Sequence, residues 1–138
     1  DNSLEDSTQT ALKKYARADL LAFQDRNSEA IDTLEDILTN HKGEKIEDEA
    51  LFKQGEIYEK QGKYQQAEAN YLKIIEFYNE DILADDAHYR LAKIYEDKLG
   101  QPDKAKAQYE AIIFNFADSI YFVDARKKYR ALRGDVIN

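Results

Sequence analysis

The sequence predicts an all-α fold made of stacked helix pairs, and three observations support that class. A small residue recurs every 37 residues, at Ala18, Gly55 and Ala92. Another recurs every 37 to 38 residues, at Ala30, Ala67 and Ala105. No stretch shows the alternating pattern of a β-strand. A fixed period in this range is typical of solenoids, in which each helix pair buries its apolar face against the next pair.

The first two helix pairs follow from caps and turns. The first pair consists of a helix over residues 9–24, preceded by a frayed polar lead-in, and a second helix that ends near Leu38. Asn27 is the predicted N-cap of that second helix, because an Asn side chain accepts hydrogen bonds from first-turn N–H groups. After a turn over residues 41–45, the second pair covers residues 47–60 and 64–78, separated at Gly62.

The third pair is predicted over residues 84–98 and 102–115. Gly100 closes its first helix, and Pro102 lies in the first turn of the next helix, where a missing N–H costs nothing. A capping helix over residues 119–133 ends before Gly134. We predict one domain over residues 1–138, with repeats at 11–45, 46–82 and 83–119, and with residues 134–138 near the natural C-terminus.

Composition excludes several kinds of site. The 138 residues include no Cys, which rules out disulfides, thiolate nucleophiles and zinc–thiolate centres. The net charge of −8 argues against broad nucleic-acid binding. No window approaches the roughly 20 apolar residues of a membrane span. The charge is uneven, since residues 126–138 hold five basic residues against Asp135.

The recurring residues resemble the tetratricopeptide repeat family. They are Leu51, Gly55, Tyr58, Gly62, Lys63, Tyr64, Ala67 and Tyr71 in the second repeat, and Leu91, Ala92, Tyr95, Gly100, Ala105 and Tyr109 in the third. The first repeat is degenerate, and the Pro that usually follows the second helix is replaced by Lys42, Asn79 and Ala117. The resemblance implies a right-handed α–α superhelix of three pairs plus the C-terminal capping helix.

The longer turns are similar to those of the extracytoplasmic bacterial branch of this family. That branch includes the outer-membrane assembly lipoprotein and the TolA-binding protein. The resemblance implies a periplasmic or outer-membrane-associated location in a Gram-negative bacterium, with a cytoplasmic location left open.

The sequence offers little for catalysis or metal binding. His41 occupies the repeat position filled by Tyr78 and Phe116, which indicates an aromatic packing residue at a helix end. Asp85 and His88 share a helix face near Asp81, but a third defined ligand is missing. We therefore predict no enzyme activity, no cofactor and no metal.

The predicted function is a noncatalytic protein–protein interaction scaffold. In the family, the first helix of each pair lines a concave groove. The groove positions of this chain are Leu12, Tyr15, Asp19 and Ala22, then Glu49, Phe52, Glu56 and Glu59, then Asp86, Tyr89, Lys93 and Glu96. Tyr15, Phe52 and Tyr89 are 37 residues apart and form an aromatic ladder along this groove. The ladder and the groove acids predict a peptide partner with basic and apolar side chains.

Two alternatives stay open at this point. One alternative is that the rings of the aromatic ladder are core residues. The other alternative is that the chain is the structural C-terminal segment of a longer solenoid, with oligomerisation or assembly as its main role. The first helix favours that alternative, because its apolar residues spread over more than one face and predict a homo-oligomer contact.

Overall fold

The computed structural model describes residues 2–80 and 82–134, and this part of the chain forms seven α-helices and no strand. The helices are α1 (Asn2–Phe23), α2 (Asn27–Asn40), α3 (Glu47–Lys60), α4 (Tyr64–Phe77), α5 (Ala84–Asp97), α6 (Pro102–Asn115) and α7 (Phe122–Arg133). The all-α prediction is confirmed, and five of the seven helices begin within a residue of the predicted position. The expectation about residues 134–138 concerns a segment of which only Gly134 is described.

Three local predictions were wrong. The helix α1 begins at Asn2 and not at residue 9, since Ser7 is anchored by contacts with the turn after α2. Asn27 is the first residue of α2, and Arg26 takes the cap position without a side-chain capping hydrogen bond. The helix α7 begins at Phe122 and not at residue 119, because the Ser119 hydroxyl accepts the Tyr121 N–H at 3.0 Å and forms a turn there.

The chain folds into two compact units, Asp1–Asn70 (unit 1) and Tyr71–Asn138 (unit 2), with the boundary inside α4. The apolar core of unit 1 consists mainly of residues from α1, α2 and α3, and Tyr15, Ile31 and Leu38 pack against its edge. Ala18 and Ala30 are fully buried, which agrees with the small side chains that close helix packing requires. Within the described residues, no helix combines the length and the apolar content needed to cross a bilayer.

A buried polar network also holds unit 1 together. The Gln54 side chain is 1% exposed, and its amide nitrogen donates to the Ile31 carbonyl at 3.2 Å. The Asn70 amide donates to the Gln54 side-chain oxygen at 2.8 Å and to the Leu51 carbonyl at 3.1 Å. Because buried polar groups are costly when they lack partners, these bonds fix how α2, α3 and the first half of α4 meet.

In unit 2, α5, α6 and α7 enclose a second core. Ala92, Ala105, Tyr109 and Ala125 are among its buried residues, and all three of these alanines are fully enclosed. His88 is also buried, where its Nδ1 lies 2.7 Å from the Gln108 side-chain oxygen. The small and aromatic positions of the third repeat therefore serve the packing role that their spacing predicts.

Candidate peptide-binding surface

The unit 1 part of the predicted groove lies on α1 and α3. Leu12 and Asp19 are exposed on α1, whereas Ala22 is buried and Tyr15 is half-buried. On α3, Glu49 is exposed and Glu56 and Glu59 are half-buried, so their carboxylates remain partly open to solvent.

The Tyr15 ring marks the centre of this acidic surface. Burial raises the pKa of the Tyr15 hydroxyl to about 12, and the carboxylates of Glu49, Asp19, Glu56 and Asp48 add to that rise in this order. A charge affects a titrating group only at short range in salt solution. Unit 1 therefore brings three of the predicted groove acids together around one predicted groove ring.

Phe52 has a different environment from the one an open aromatic ladder requires. Its side chain is 9% exposed, so the ring belongs largely to the core of α3 and its neighbours. This placement matches the alternative in which ladder rings are packing residues. Phe52 therefore contributes mainly to packing and exposes little area to a ligand.

An open cleft of about 400 Å³ adjoins the acidic surface, between α1 and α3. Its lining residues are Ala16, Asp19, Leu20, Ala22, Phe23, Lys53 and Lys60. Leu20 is 56% exposed and Phe23 is 86% exposed, so the cleft presents apolar area to solvent. Lys53 Nζ lies 2.8 Å from the Asp19 carboxylate, and this ion pair joins the two helices at the cleft.

The sequence analysis missed Lys53, Lys60 and the cleft itself. The two lysines are seven residues apart on α3 and therefore share one helix face, which is a signal visible in the sequence. Their pairing with aspartates on and just after α1 is not visible there. Lys60 lies 3.4 Å from Asp25, at the end of the cleft near the turn that follows α1.

In unit 2, the predicted groove residue Tyr89 is engaged inside the fold. Its hydroxyl donates to the Asp124 carboxylate at 2.5 Å. Its ring stacks on Tyr121, with centroids 4.3 Å apart and planes inclined by 14°. Burial, followed by the Asp124 hydrogen bond, raises the pKa of Tyr89 well above its ordinary range. Tyr89 thus joins α5 to the start of α7.

The other predicted groove residues of unit 2 also have partners there. Asp86 accepts a hydrogen bond from the Tyr121 hydroxyl at 3.0 Å. Glu96 accepts one from the Tyr109 hydroxyl at 2.8 Å, and Lys93 Nζ lies 3.2 Å from the Asp97 carboxylate. The contact of Asp86 therefore ties α5 to the segment before α7, and that of Glu96 ties α5 to α6. The Lys93–Asp97 pair lies along α5 and is partly exposed.

The buried His41 lies in a hydrogen-bonding cluster, so the prediction of a simple aromatic packing residue was incomplete. The Glu44 carboxylate is 2.8 Å from its Nδ1, and Lys14 Nζ is 3.1 Å from its Nε2. The Ser7 hydroxyl is 3.1 Å from the same Nδ1 and donates to Glu44 at 2.9 Å. A catalytic triad needs its hydroxyl and its acid on opposite ring nitrogens, so this cluster is not one.

The Asp85 and His88 pair is likewise satisfied within the fold. Asp85 accepts hydrogen bonds from the Ser119 hydroxyl at 2.6 Å and from the Asp86 backbone N–H at 2.9 Å. Burial lowers the pKa of His88, and the opposing effects of Gln108 and Asp85 do not cancel that shift. Asp81 lies outside the described residues. Across residues 2–80 and 82–134, no three His, Cys, Asp or Glu side chains form a possible metal site.

Comparison with known families completes this description. Two models of the tetratricopeptide repeat match the chain, at residues 48–81 and at residues 86–119. These two segments, which together make up just under half of the chain, are similar to tetratricopeptide repeats. The matched segments cover nearly all of α3 with α4 and of α5 with α6, so the second and third helix pairs correspond to one tetratricopeptide repeat each. No curated protein sequence matches the chain at a significant level.

Proposed function

We propose that the chain is a noncatalytic protein-interaction scaffold that binds a basic, partly apolar segment of a partner protein at the α1–α3 surface of unit 1. This surface comprises Tyr15, Asp19, Glu49 and Glu56 together with the cleft beside them. Tetratricopeptide repeats suggest a protein partner and a scaffold role. The observation that carries the proposal is the open cleft between α1 and α3, where the exposed Leu20 and Phe23 lie beside the Asp19 carboxylate.

The chemistry of the ligand follows from the two parts of this surface. The carboxylates attract Lys or Arg side chains, and they also speed the encounter because their field extends into solvent. The exposed Leu20 and Phe23 offer apolar area to an aliphatic or aromatic side chain. A segment that carries both kinds of side chain satisfies both parts at once, whereas an acidic segment meets repulsion.

The groove residues of unit 2 have a supporting role in this proposal. Tyr89, Asp86 and Glu96 use their polar atoms within unit 2. Replacing them should therefore reduce stability more than it reduces affinity for a basic segment. Lys93 pairs with Asp97 along the partly exposed side of α5, so its replacement should change stability little.

The test is a titration of fluorescent peptides against wild type and two variants with equal charge changes. The first variant is Glu49→Gln/Glu56→Gln, and its matched control is Glu76→Gln/Glu80→Gln, which removes two acids from exposed positions on or after α4. A Lys/Leu/Phe peptide should bind the first variant more slowly and with a flatter salt dependence, while the control should bind like wild type. Tighter binding of a Glu/Leu/Phe peptide to this surface would refute the assignment.

A second candidate function is self-association through α1. Leu12, Ala16, Leu20 and Phe23 are spaced by four, four and three residues, so they form a stripe on one face of the helix. All four are exposed, which leaves this stripe uncovered in the single chain. In that case Leu12→Ser/Leu20→Ser should convert a dimer to a monomer in sedimentation experiments. A wild type that stays monomeric at high concentration contradicts this candidate.

The cellular location is part of the proposal as well. The resemblance to the extracytoplasmic bacterial branch supports a periplasmic or outer-membrane-associated protein. Fractionation of cells that express the full-length gene product tests it, with recovery in the cytoplasmic fraction as the contrary result.

A further inference from the structure

The outward face of α7 carries a row of cations. Arg126, Arg130 and Arg133 are spaced by four and three residues, which aligns them along one side of the helix. Lys127 lies beside this row, and all four side chains are exposed. On the opposite side of α7, Ala125 is fully buried in unit 2. The row spans about 10 Å along the helix axis at 1.5 Å per residue.

Three of these cations, Arg126, Lys127 and Arg130, differ from other basic residues of the chain in their charge partners. Lys53 and Lys93 are both paired with aspartates at 2.8 Å and 3.2 Å. Across the described residues, by contrast, no carboxylate forms an ion pair with Arg126, Lys127 or Arg130. The acid within α7, Asp124, accepts the Tyr89 hydroxyl and faces α5.

The helix dipole does not account for the whole row. Cations in the last turn of a helix are favoured by the partial negative charge there, which covers Arg130 and Arg133. Arg126 and Lys127 stand in the first half of α7, beyond the reach of that effect. The Arg126 guanidinium is 5.7 Å from the centre of the Phe122 ring, and this contact restrains the side chain on the surface.

The charge of this helix also opposes that of the rest of the molecule. Residues 126–138 hold five basic residues against one acid, a net charge of +4 that leaves −12 on residues 1–125. Apolar area lies just before this segment, where Ile120 is 87% exposed and Val123 is 68% exposed. Val123 precedes Arg126 and Arg130 by three and seven residues and therefore shares their face.

We propose that this outward face of α7, consisting of Val123, Arg126, Lys127, Arg130 and Arg133, docks an acidic, partly apolar segment of a partner protein. The guanidinium group of an arginine pairs with a carboxylate through two parallel hydrogen bonds. Because the arginines are spaced along one side of a helix, they favour a partner segment whose acids have the same spacing. A short acidic segment touches only this face. A long polyanion such as a nucleic acid also meets the −12 charge of the remaining chain and is repelled.

This surface is separate from the one proposed above in both location and charge preference. The α1–α3 surface belongs to unit 1 and selects cations, whereas the α7 face belongs to unit 2 and selects anions. The proposal for α7 does not depend on the proposal for unit 1.

The experiment compares wild type with Arg126→Gln/Arg130→Gln and with a matched control, Lys63→Gln/Lys73→Gln. Both variants remove two exposed positive charges, and the control removes them at the start of α4 and within it. The probes are a Glu/Leu peptide, its Gln/Leu counterpart, single-stranded oligothymidylate and phosphatidylglycerol vesicles. Circular dichroism melting verifies that each variant is folded.

The Glu/Leu peptide should bind wild type and the control equally and bind the α7 variant about tenfold more weakly, the result of losing two exposed charge pairs. The Gln/Leu peptide should bind none of the three proteins appreciably. Equal weakening in both variants would show that only net charge matters and would overturn the proposal. Tighter binding of oligothymidylate or vesicles than of the peptide would overturn the assigned partner class.

The Lys/Leu/Phe peptide separates this proposal from the one for unit 1. The α7 variant should bind that peptide as wild type does, while Glu49→Gln/Glu56→Gln should keep its affinity for the Glu/Leu peptide. If the α7 variant loses both peptides together, a single shared site exists and the α7 docking face is wrong.

Discussion

Tyr89 provides the sharpest test of whether a predicted groove residue belongs to the structure or to the ligand surface. Replacing Tyr89 with Phe removes the hydroxyl that lies 2.5 Å from the Asp124 carboxylate, and it preserves the ring that stacks on Tyr121. A hydrogen bond to a charged group contributes about 1.5–3 kcal/mol to stability. Both partners are half-buried, so water compensates part of this loss and we expect about 1–2 kcal/mol.

The assay is urea unfolding followed by circular dichroism, together with hydrogen exchange of the α5 and α7 amides. A double-mutant cycle with Asp124→Asn isolates the pair, because the second change should cost little once the first has been made. Tyr129→Phe is the matched control, since that hydroxyl takes part in no hydrogen bond among the described residues, and it should cost less than about 0.5 kcal/mol. Affinity for the Lys/Leu/Phe peptide should stay unchanged in all variants.

Two results would refute this reasoning. If Tyr89→Phe leaves the free energy of unfolding unchanged, the hydrogen bond to Asp124 makes no net contribution to stability. If stability is unchanged and peptide affinity falls, then Tyr89 belongs to the ligand surface and the groove extends into unit 2 as the sequence predicts.

Three further predictions concern packing, buried polarity and pH. Gly55→Leu or Ala67→Leu should cost about 1–3 kcal/mol by overpacking a buried position, and an unchanged melting temperature would contradict that. Asn70→Ala should destabilise unit 1 by about 1–3 kcal/mol for each acceptor left without a donor, seen as faster hydrogen exchange in α3. Burial and then Glu96 raise the pKa of Tyr109, so the stability that this neutral hydroxyl contributes is present below pH 10 and declines as pH rises further. A melting temperature that stays constant through alkaline titration would disprove this last expectation.

The sequence predicts the helical core well because the core depends on local spacing. Ala67, Tyr71, Ala105 and Tyr109 recur at a fixed period, and all four are fully buried. Periodicity of this kind determines which face of a helix is apolar, independent of the details of its neighbours. The same argument predicts the positions of the turns at Gly62 and Gly100, both of which have positive φ.

Polar contacts between distant residues could not be predicted in the same way. The Ser7, His41 and Glu44 cluster joins residues up to 37 positions apart and depends on side-chain directions within the fold. Its absence from the sequence analysis explains why α1 was predicted to begin too late. The groove prediction has the same limit. Periodicity places Tyr89 on a helix face, but it does not reveal the hydrogen bond between Tyr89 and Asp124.

The tyrosine–carboxylate pairs of unit 2 also determine a register. Tyr89 reaches forward by 35 residues to Asp124, and Tyr121 reaches back by 35 residues to Asp86. The two rings stack between these reciprocal bonds. A slide of α7 by one helical turn, about 5.4 Å, breaks both bonds and the stack together. These contacts therefore allow only one alignment of α7 relative to α5. We expect α7 to fold onto unit 2, and to unfold from it, in a single cooperative step.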